Sequence, residues 1–226
     1  MDMENAVIVD VEATPTRISK EVNATETMIE RTEDRFGLKP DRLAGDVAYG
    51  TGEMLGWLAN RNIVPHIPVW DRSRVAVDGK FVRADFEYNK ERDLYVCPGG
   101  KELETSGTVY DGTTIKYIAK RSDCSQCPLK PKCTTGRERR ISRDVNQEAR
   151  DYTQALMETD AYYQSSVDRK QIERLFGEAK NILSMVRLRL RGLSGAKDEF
   201  LLTATVQNLK RLANHSTRPP PHPIAA

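Results

Sequence analysis

The sequence lacks long hydrophobic runs and contains few cysteines. No stretch of 18 consecutive apolar residues occurs in the chain, which excludes a simple membrane-spanning helix. Residues 1–15 have neither the basic start nor the apolar core of a signal peptide. A chain with these absences and only four cysteines is predicted to be a cytoplasmic protein with reduced thiols.

Charge is unevenly distributed along the 226 residues, although the net charge is only +2. Residues 1–60 contain twelve acidic and six basic side chains, whereas residues 116–143 contain nine basic and two acidic ones. We interpret the first segment as a region able to hold cations and the second as one able to contact phosphates. Solvated surface without a partner is the alternative interpretation for both segments.

The first 70 residues alternate between strand-like and helix-like patterns. Strands are predicted at residues 6–11, 42–46 and 63–69, and helices at residues 25–36 and 51–60. Thr51 is the expected N-cap of the second helix. This alternation predicts an α/β fold with a parallel sheet, in which Asp46 ends a strand. A simple turn residue is the alternative role for Asp46.

Residues 71–145 interrupt this pattern with short predicted strands at residues 83–88, 94–97 and 113–119, and they contain every cysteine. The spacing is C-x26-C-x2-C-x5-C, formed by Cys97, Cys124, Cys127 and Cys133. Four thiols on turn-rich segments favour a structural zinc ion, which would hold basic residues 116–143 in place. Thiols without metal, an oxidation-sensitive pair and an iron–sulfur cluster remain alternatives.

Helices are predicted at residues 147–158, 161–185 and 196–214, followed by a proline-rich disordered tail. In the last helix an apolar stripe is predicted to pack against the protein; it comprises Phe200, Leu201, Val206, Leu209 and Leu212. Helical periodicity puts Arg169, Glu173 and Lys180 on one face of the second of these helices. The adjoining arc is apolar and predicted to be buried; it comprises Ile172, Leu175, Phe176, Ala179, Leu183 and Val186. The alternative is an ordinary surface pair of Arg169 and Glu173.

The spacing Arg169-x3-Glu173-x6-Lys180 resembles the signature around the last acidic residue of insertion-sequence transposases of the DDE type. The family places a tyrosine three residues before the arginine, where this chain has Ser166. The segment from Asp46 through Tyr49 to Thr51 resembles the second acidic motif of the same family. Because it contains both motifs, the chain resembles the carboxyl-terminal portion of a bacterial insertion-sequence DDE transposase.

This resemblance implies an incomplete ribonuclease-H-like domain, with a mixed sheet and flanking helices, interrupted by a cysteine-bearing β module and ending in long helices. The implied division is residues 1–70, the module at 71–145, helices at 146–214 and a tail at 215–226. The resemblance also implies that Asp46 and Glu173 bind Mg²⁺ or Mn²⁺ for phosphoryl transfer on DNA. Arg169 and Lys180 would orient Glu173 or contact DNA.

DNA at the transposon ends is the implied partner, and no membrane partner is expected. Arginine alternates with leucine at Arg187, Arg189 and Arg191, which suits an extended segment with one face on the protein and one on phosphates. In the cysteine-bearing module, Arg137, Arg139 and Arg140 are predicted to bind DNA. Surface arginines that pack only their stems are the alternative.

The family's first carboxylate should lie on a strand upstream of residue 6, and neither Asp2 nor Asp10 is in a position to replace it. We therefore expect a truncated transposase, inactive alone and completed by the missing segment or by an intact, oligomeric enzyme. A non-catalytic DNA-binding remnant and a regulator that retains the scaffold are the two competing hypotheses.

Overall fold

The computed structural model describes residues 1–15, 18–71, 73 and 79–216, so the tail predicted at 215–226 lies almost wholly outside the described residues. The helices are α1 (Ile18–Phe36), α2 (Gly52–Asn60), α3 (Arg121–Ser125), α4 (Lys130–Cys133), α5 (Gln147–Leu156), α6 (Asp160–Asp168), α7 (Lys170–Asn181) and α8 (Gly192–Ser216). The strands are β1 (Arg42–Ala44), β2 (Val64–His66), β3 (Glu87–Asn89), β4 (Leu94–Val96), β5 (Glu102–Tyr110), β6 (Thr114–Ala119) and β7 (Arg140–Asp144). Short 3-10 helices occupy Val47–Tyr49 and Arg83–Asp85.

The chain divides into two compact units. The terminal unit comprises the described residues of Met1–Ala48 and Thr159–Ala226, and the central unit comprises those of Tyr49–Glu158. Together they make a mixed α/β protein, as the sequence predicts. The domain boundaries predicted after residues 70, 145 and 214 stay predictions.

A five-stranded antiparallel sheet forms the main layer of the central unit. Its strands follow one another in chain order from β3 to β7. The pairing of β5 with β6 contains an irregularity between Thr105 and Val109, where Gly107 adopts a positive φ of 74°. Strands β5 and β7 are absent from the sequence prediction. In β5 only Leu103 is buried, and in β7 one of the two buried residues is the charged Arg143 beside Ile141, so neither segment has a regular apolar alternation.

The core of this sheet is an aromatic and aliphatic cluster. Its buried members are Phe86, Tyr95, Leu103, Tyr117, Ala119 and Ile141. The rings of Tyr95 and Tyr117 meet edge to face with centroids 5.0 Å apart. The hydroxyl groups of Tyr117 and Tyr88 donate to Oδ1 of Asp93 at 2.5 and 2.8 Å, so the polar ends of these rings are satisfied.

Helix α2 packs on α5 within the same unit, and its start matches the prediction. The hydroxyl of Thr51 accepts from the backbone N of Met54 at 3.2 Å, which confirms the N-cap. Met54, Leu55 and Leu58 are almost completely buried.

The strand predicted at residues 6–11 is wrong. Apart from an isolated bridge between Asp2 and Val7, the segment is extended without strand pairing. The side-chain amide of Asn208 on α8 bonds both the N and the O of Ile8, at 2.9 and 2.8 Å, in place of a neighbouring strand. Arg31 on α1 then fixes the following residues through ion pairs to Asp10 and Glu12, at 2.6 and 2.7 Å.

The single helix predicted at residues 161–185 is two helices, α6 and α7, which meet at Arg169. Helix α7 ends at Asn181, earlier than predicted. Ser184 then adopts a left-handed conformation with φ 60°, and the N of Met185 donates to the O of Ala179 at 3.0 Å. The left-handed residue and this bond turn the chain away from the helix axis, so α7 ends without a glycine.

The sequence predicts that the apolar stripe of the last helix packs against the protein. This prediction is wrong, because the stripe is largely exposed. Its leucines and valine at 201, 206, 209 and 212 lie on the open side of α8, whereas Ala196, Ala204 and Gln207 are buried. Phe176 and Val186, predicted to be buried, are 55% and 79% exposed. Two alanines and the long polar side chain of Gln207 form the inner face of α8, so the apolar periodicity indicates the wrong face. No helix in the described ranges has both the length and the hydropathy of a membrane span.

We expect the substitution Leu103→Ala to lower the free energy of unfolding by about 2–5 kcal/mol, because it opens a cavity in the central core. Leu103 has 0% exposure, whereas Val109 on the same strand is 46% exposed. The control Val109→Ala should change the stability by less than about 1 kcal/mol. Urea unfolding measures both values, and equal losses for the two variants would contradict the assignment of the core.

Candidate metal and DNA-contact sites

Asp46 lies just after β1, and its side chain starts the 3-10 helix at Val47–Tyr49. Its Oδ1 accepts from the backbone N of Ala48 at 2.8 Å. The side chain is exposed. One carboxylate oxygen is thus used to order the local backbone, while the group as a whole stays open to solvent and to cations.

Glu173 lies in the first turn of α7 with its side chain 68% exposed. Its Oε1 is 3.9 Å from Nη2 of Arg169, one turn earlier. An exposed ion pair at this distance is weak, so the carboxylate of Glu173 stays largely open to solvent. Lys180 is also exposed, at the other end of α7.

Helix α7 is held from its other side by α8. The amide of Gln207, which is 4% exposed, donates to the backbone O of Leu175 at 2.9 Å and to Oε2 of Glu178 at 3.3 Å. Lys210 forms an ion pair with Oε1 of Glu178. Leu175 and Ala179 are buried along the same side. These contacts fix the face of α7 that carries Glu173.

Sequence reasoning misses Gln207 and Glu178 as positioning residues. Glu178 has the charge of an ordinary helix surface, and Gln207 interrupts an apolar run without any motif around it. The burial of a long polar side chain with a backbone partner is the property that identifies Gln207, and only the structure provides it.

Asp46 and Glu173 each have a local partner, and the structure does not assemble them into a complete metal centre. Within residues 1–15, 18–71, 73 and 79–216, no three or more His, Cys, Asp or Glu side chains form a group able to hold a metal ion. Both carboxylates remain suitable single ligands, because Mg²⁺ prefers oxygen donors. Their joint role stays a prediction.

The three arginines predicted to bind DNA near the last cysteine differ in their surroundings. Arg139 donates to the backbone O of Cys133 at 2.8 Å and of Phe81 at 2.9 Å, and its guanidinium lies over the ring of Phe86. Arg140 pairs with Glu138 at 2.6 Å, and Arg137 is exposed. Residues 134 and 136–140 line an open cavity of about 370 Å³. Arg139 orders this loop, which leaves Arg137 and Arg140 better placed for an external anion.

Arg187, Arg189 and Arg191 are exposed, but the leucines between them are exposed as well. The predicted burial of one face of this segment is therefore wrong. The backbone is fixed differently: Oε1 of Glu199 accepts from the N of Arg189 and of Leu190, at 2.7 and 2.5 Å. These bonds hold the segment against the start of α8 while the arginine side chains stay accessible.

The four cysteines lie in the central unit, and each is partly buried with a free thiol. The sulfurs of Cys97 and Cys127 both lie within 4 Å of the position that a Cβ on Gly99 would occupy, at 3.6 and 3.7 Å. Cys97, Cys124 and Cys133 pack against the same core cluster. The segments that carry the four thiols therefore converge at one end of the sheet.

A comparison with known protein families identifies the family of this chain. The family model described as "Transposase DDE domain" matches residues 96–213, which is more than half of the chain. The protein belongs to the DDE transposase family. The matched range includes Glu173 and all four cysteines, whereas Asp46 precedes it. No curated protein and no solved structure matches the chain.

We expect Glu178→Gln to weaken the dependence of stability on pH. The hydrogen bond from Lys210 holds the pKa of Glu178 below its usual range, assisted by Gln207 and opposed by burial. A lowered folded-state pKa contributes stability above the unfolded-state value, about 4.3, which is lost as the pH falls through the folded-state value.

Urea unfolding at a series of pH values between about 7 and 3 measures this effect across the range where carboxylates titrate. The control is Glu91→Gln, which changes an exposed glutamate in the central unit. Identical pH profiles for wild type and Glu178→Gln would show that the contact with Lys210 does not stabilise the fold.

Proposed function

We propose that this chain acts in DNA transposition, by metal-dependent phosphoryl transfer on DNA, with Asp46 and Glu173 among the carboxylate ligands. The observation that carries the proposal is the family match across residues 96–213, because it includes the motif Arg169-x3-Glu173-x6-Lys180. The finer fold is part of the proposal: a ribonuclease-H-like domain that the cysteine-bearing module interrupts.

The contacts of Glu173 support the role of a ligand. Glu173 is exposed on a helix whose opposite side is anchored by Gln207 and Glu178, so its carboxylate is presented on a fixed support. Asp46 and Glu173 would hold divalent cations, which would supply Lewis-acid stabilisation of charge during phosphoryl transfer. Arg169 and Lys180 would attract and orient DNA phosphates beside Glu173.

Asp46 contributes an exposed carboxylate. The hydrogen bond from the backbone N of Ala48 restricts the orientation of this carboxylate. That bond uses one acceptor position of Oδ1, and a carboxylate has about four such positions, so the others stay available to a cation. The chemistry of both side chains, hard oxygen donors of negative charge, fits Mg²⁺ or Mn²⁺.

A second candidate is a DNA-binding remnant or regulator without catalysis. The exposed arginines at 137, 140, 187, 189 and 191 favour it, because phosphate contacts alone suffice for DNA binding. Both candidates predict salt-dependent DNA affinity, and only the first requires the carboxylates to bind metal.

We expect Asp46→Asn and Glu173→Gln each to weaken Mn²⁺ binding at least about tenfold, since removing even an outer-shell partner costs about 10- to 100-fold. Electron paramagnetic resonance of free Mn²⁺, titrated with the full chain and duplex DNA, measures the affinity. Glu91→Gln, in the central unit, should bind Mn²⁺ as the wild type does. Unchanged affinity in both variants would leave the remnant or regulator as the better description.

We expect the double variant Arg137→Ala, Arg140→Ala to reduce the slope of log affinity for DNA against log salt, by about 0.9 for each phosphate that the protein no longer neutralises. Fluorescence anisotropy at several salt concentrations measures the slope. The matched control is Arg92→Ala, an exposed arginine whose guanidinium pairs with Glu102. If the control and the double variant lose affinity equally, the loop has no specific role in binding DNA.

A further inference from the structure

The turn after β4 presents Cys97 in a geometry that suits a metal-bound sulfur. The N of Cys97 donates to the O of Lys101 at 2.8 Å, and the N of Gly100 donates to the O of Cys97, also at 2.8 Å. The N of Lys101 then donates to Sγ of Cys97 at 3.3 Å. A backbone N–H bonds more strongly to a charged acceptor than to a neutral one, and the thiolate is the form of cysteine that binds metals.

The other three cysteines lie between β6 and β7, with Cys124 in the short helix α3 and Cys127 in the turn that follows it. The N of Cys127 donates to the O of Cys124 at 3.4 Å, and the N of Lys130 donates to the O of Cys127 at 3.1 Å. Cys133 is the last residue of the short helix α4. Two cysteines separated by two residues, on a turn closed by their own backbone, provide the short chelate that zinc sites use.

The turns from the two parts of the chain meet at Gly99, because the sulfurs of Cys97 and Cys127 lie 3.6 and 3.7 Å from the position of a Cβ on this residue. Both sulfurs are therefore in van der Waals reach of one position. Cys124 and Cys133 are anchored nearby, because they pack with Cys97 on the core cluster of the sheet. Burial raises the pKa of Cys133, the other three thiols raise it further, and Arg139 opposes them.

We propose that Cys97, Cys124, Cys127 and Cys133 bind one zinc ion at this end of the sheet. The described residues include no set of three or more such side chains already grouped to hold a metal. Binding therefore requires the thiols to change rotamer, so that each sulfur comes within about 2.3 Å of the ion while the backbone turns persist.

The proposed ion is structural and separate from the carboxylate chemistry. Four thiolates complete a tetrahedral shell, which leaves no position for a water or a substrate. Its effect on the fold passes through Cys133, whose backbone O holds the guanidinium of Arg139. The ion would thereby fix the start of the loop at residues 134–140, whether or not the chain catalyses transposition.

The test uses the full chain, purified under reducing conditions from cells supplied with zinc. Mass spectrometry of the metal content should give one zinc per chain. Replacement by Co²⁺ should produce the strong visible absorption of tetrahedral cobalt thiolate. The apparent zinc affinity should fall as the pH is lowered, because protons compete for the thiolates.

Single substitutions Cys97→Ser and Cys133→Ser should each reduce bound zinc to background and abolish the cobalt thiolate spectrum. The matched control is Ser125→Ala, an exposed residue between Cys124 and Cys127, which should keep one zinc per chain. If a cysteine variant fails to fold, the cobalt spectrum and the pH dependence of the wild type still decide the question.

Other outcomes would overturn the proposal. Wild-type chain without zinc and without a cobalt spectrum would show that the thiols bind no such metal. Iron with inorganic sulfide would identify a cluster, and a disulfide that persists in reductant would identify a covalent crosslink. Zinc retained by both serine variants would place the ion elsewhere.

Discussion

The packing of Tyr117 is the contact on which the central unit depends. Its ring lies edge to face on Tyr95, its hydroxyl shares Asp93 with Tyr88, and the residue is 1% exposed. Burying a tyrosine is favourable only when its hydroxyl finds a partner, and Asp93 provides one. Because the cysteine turns pack on the edge of this cluster, their positions depend on the same contact.

In the terminal unit, side-chain amides add to the buried apolar residues such as Val22 and Ile29. Asn208 takes the place of a strand beside Ile8, and Gln207 fastens α7 to α8. A backbone carbonyl or amide that is withdrawn from water needs a substitute partner, and these two amides on adjacent positions of α8 supply it. The helix that carries Glu173 is therefore oriented by the hydrogen bond from Gln207 together with its buried residues Leu175 and Ala179.

Sequence patterns succeed here where the signal is local and fail where it depends on a partner. The cap at Thr51 and the strands β4 and β6 follow from neighbouring residues alone. The apolar run at residues 6–11 indicates a strand, but a strand exists only if another chain segment pairs with it. The leucines of α8 show which side chains are apolar, not which side meets the protein. The roles of Glu173 and Asp46 are predicted only from family motifs, because periodicity alone cannot separate a ligand from a surface charge.

The order of the sheet has a consequence for how the protein folds. Strands β3 to β6 join through short connections, so their hairpins can form from local contacts as soon as that part of the chain exists. Strand β7 is different, since residues 120–139 must fold back before it reaches β6. Closing the loop of residues 120–139 costs conformational entropy, and this cost opposes the pairing of β7 with β6. Three cysteines lie within this loop. Joining them to Cys97 through a metal ion would shorten the free part of the loop, so β7 would pair with β6 faster.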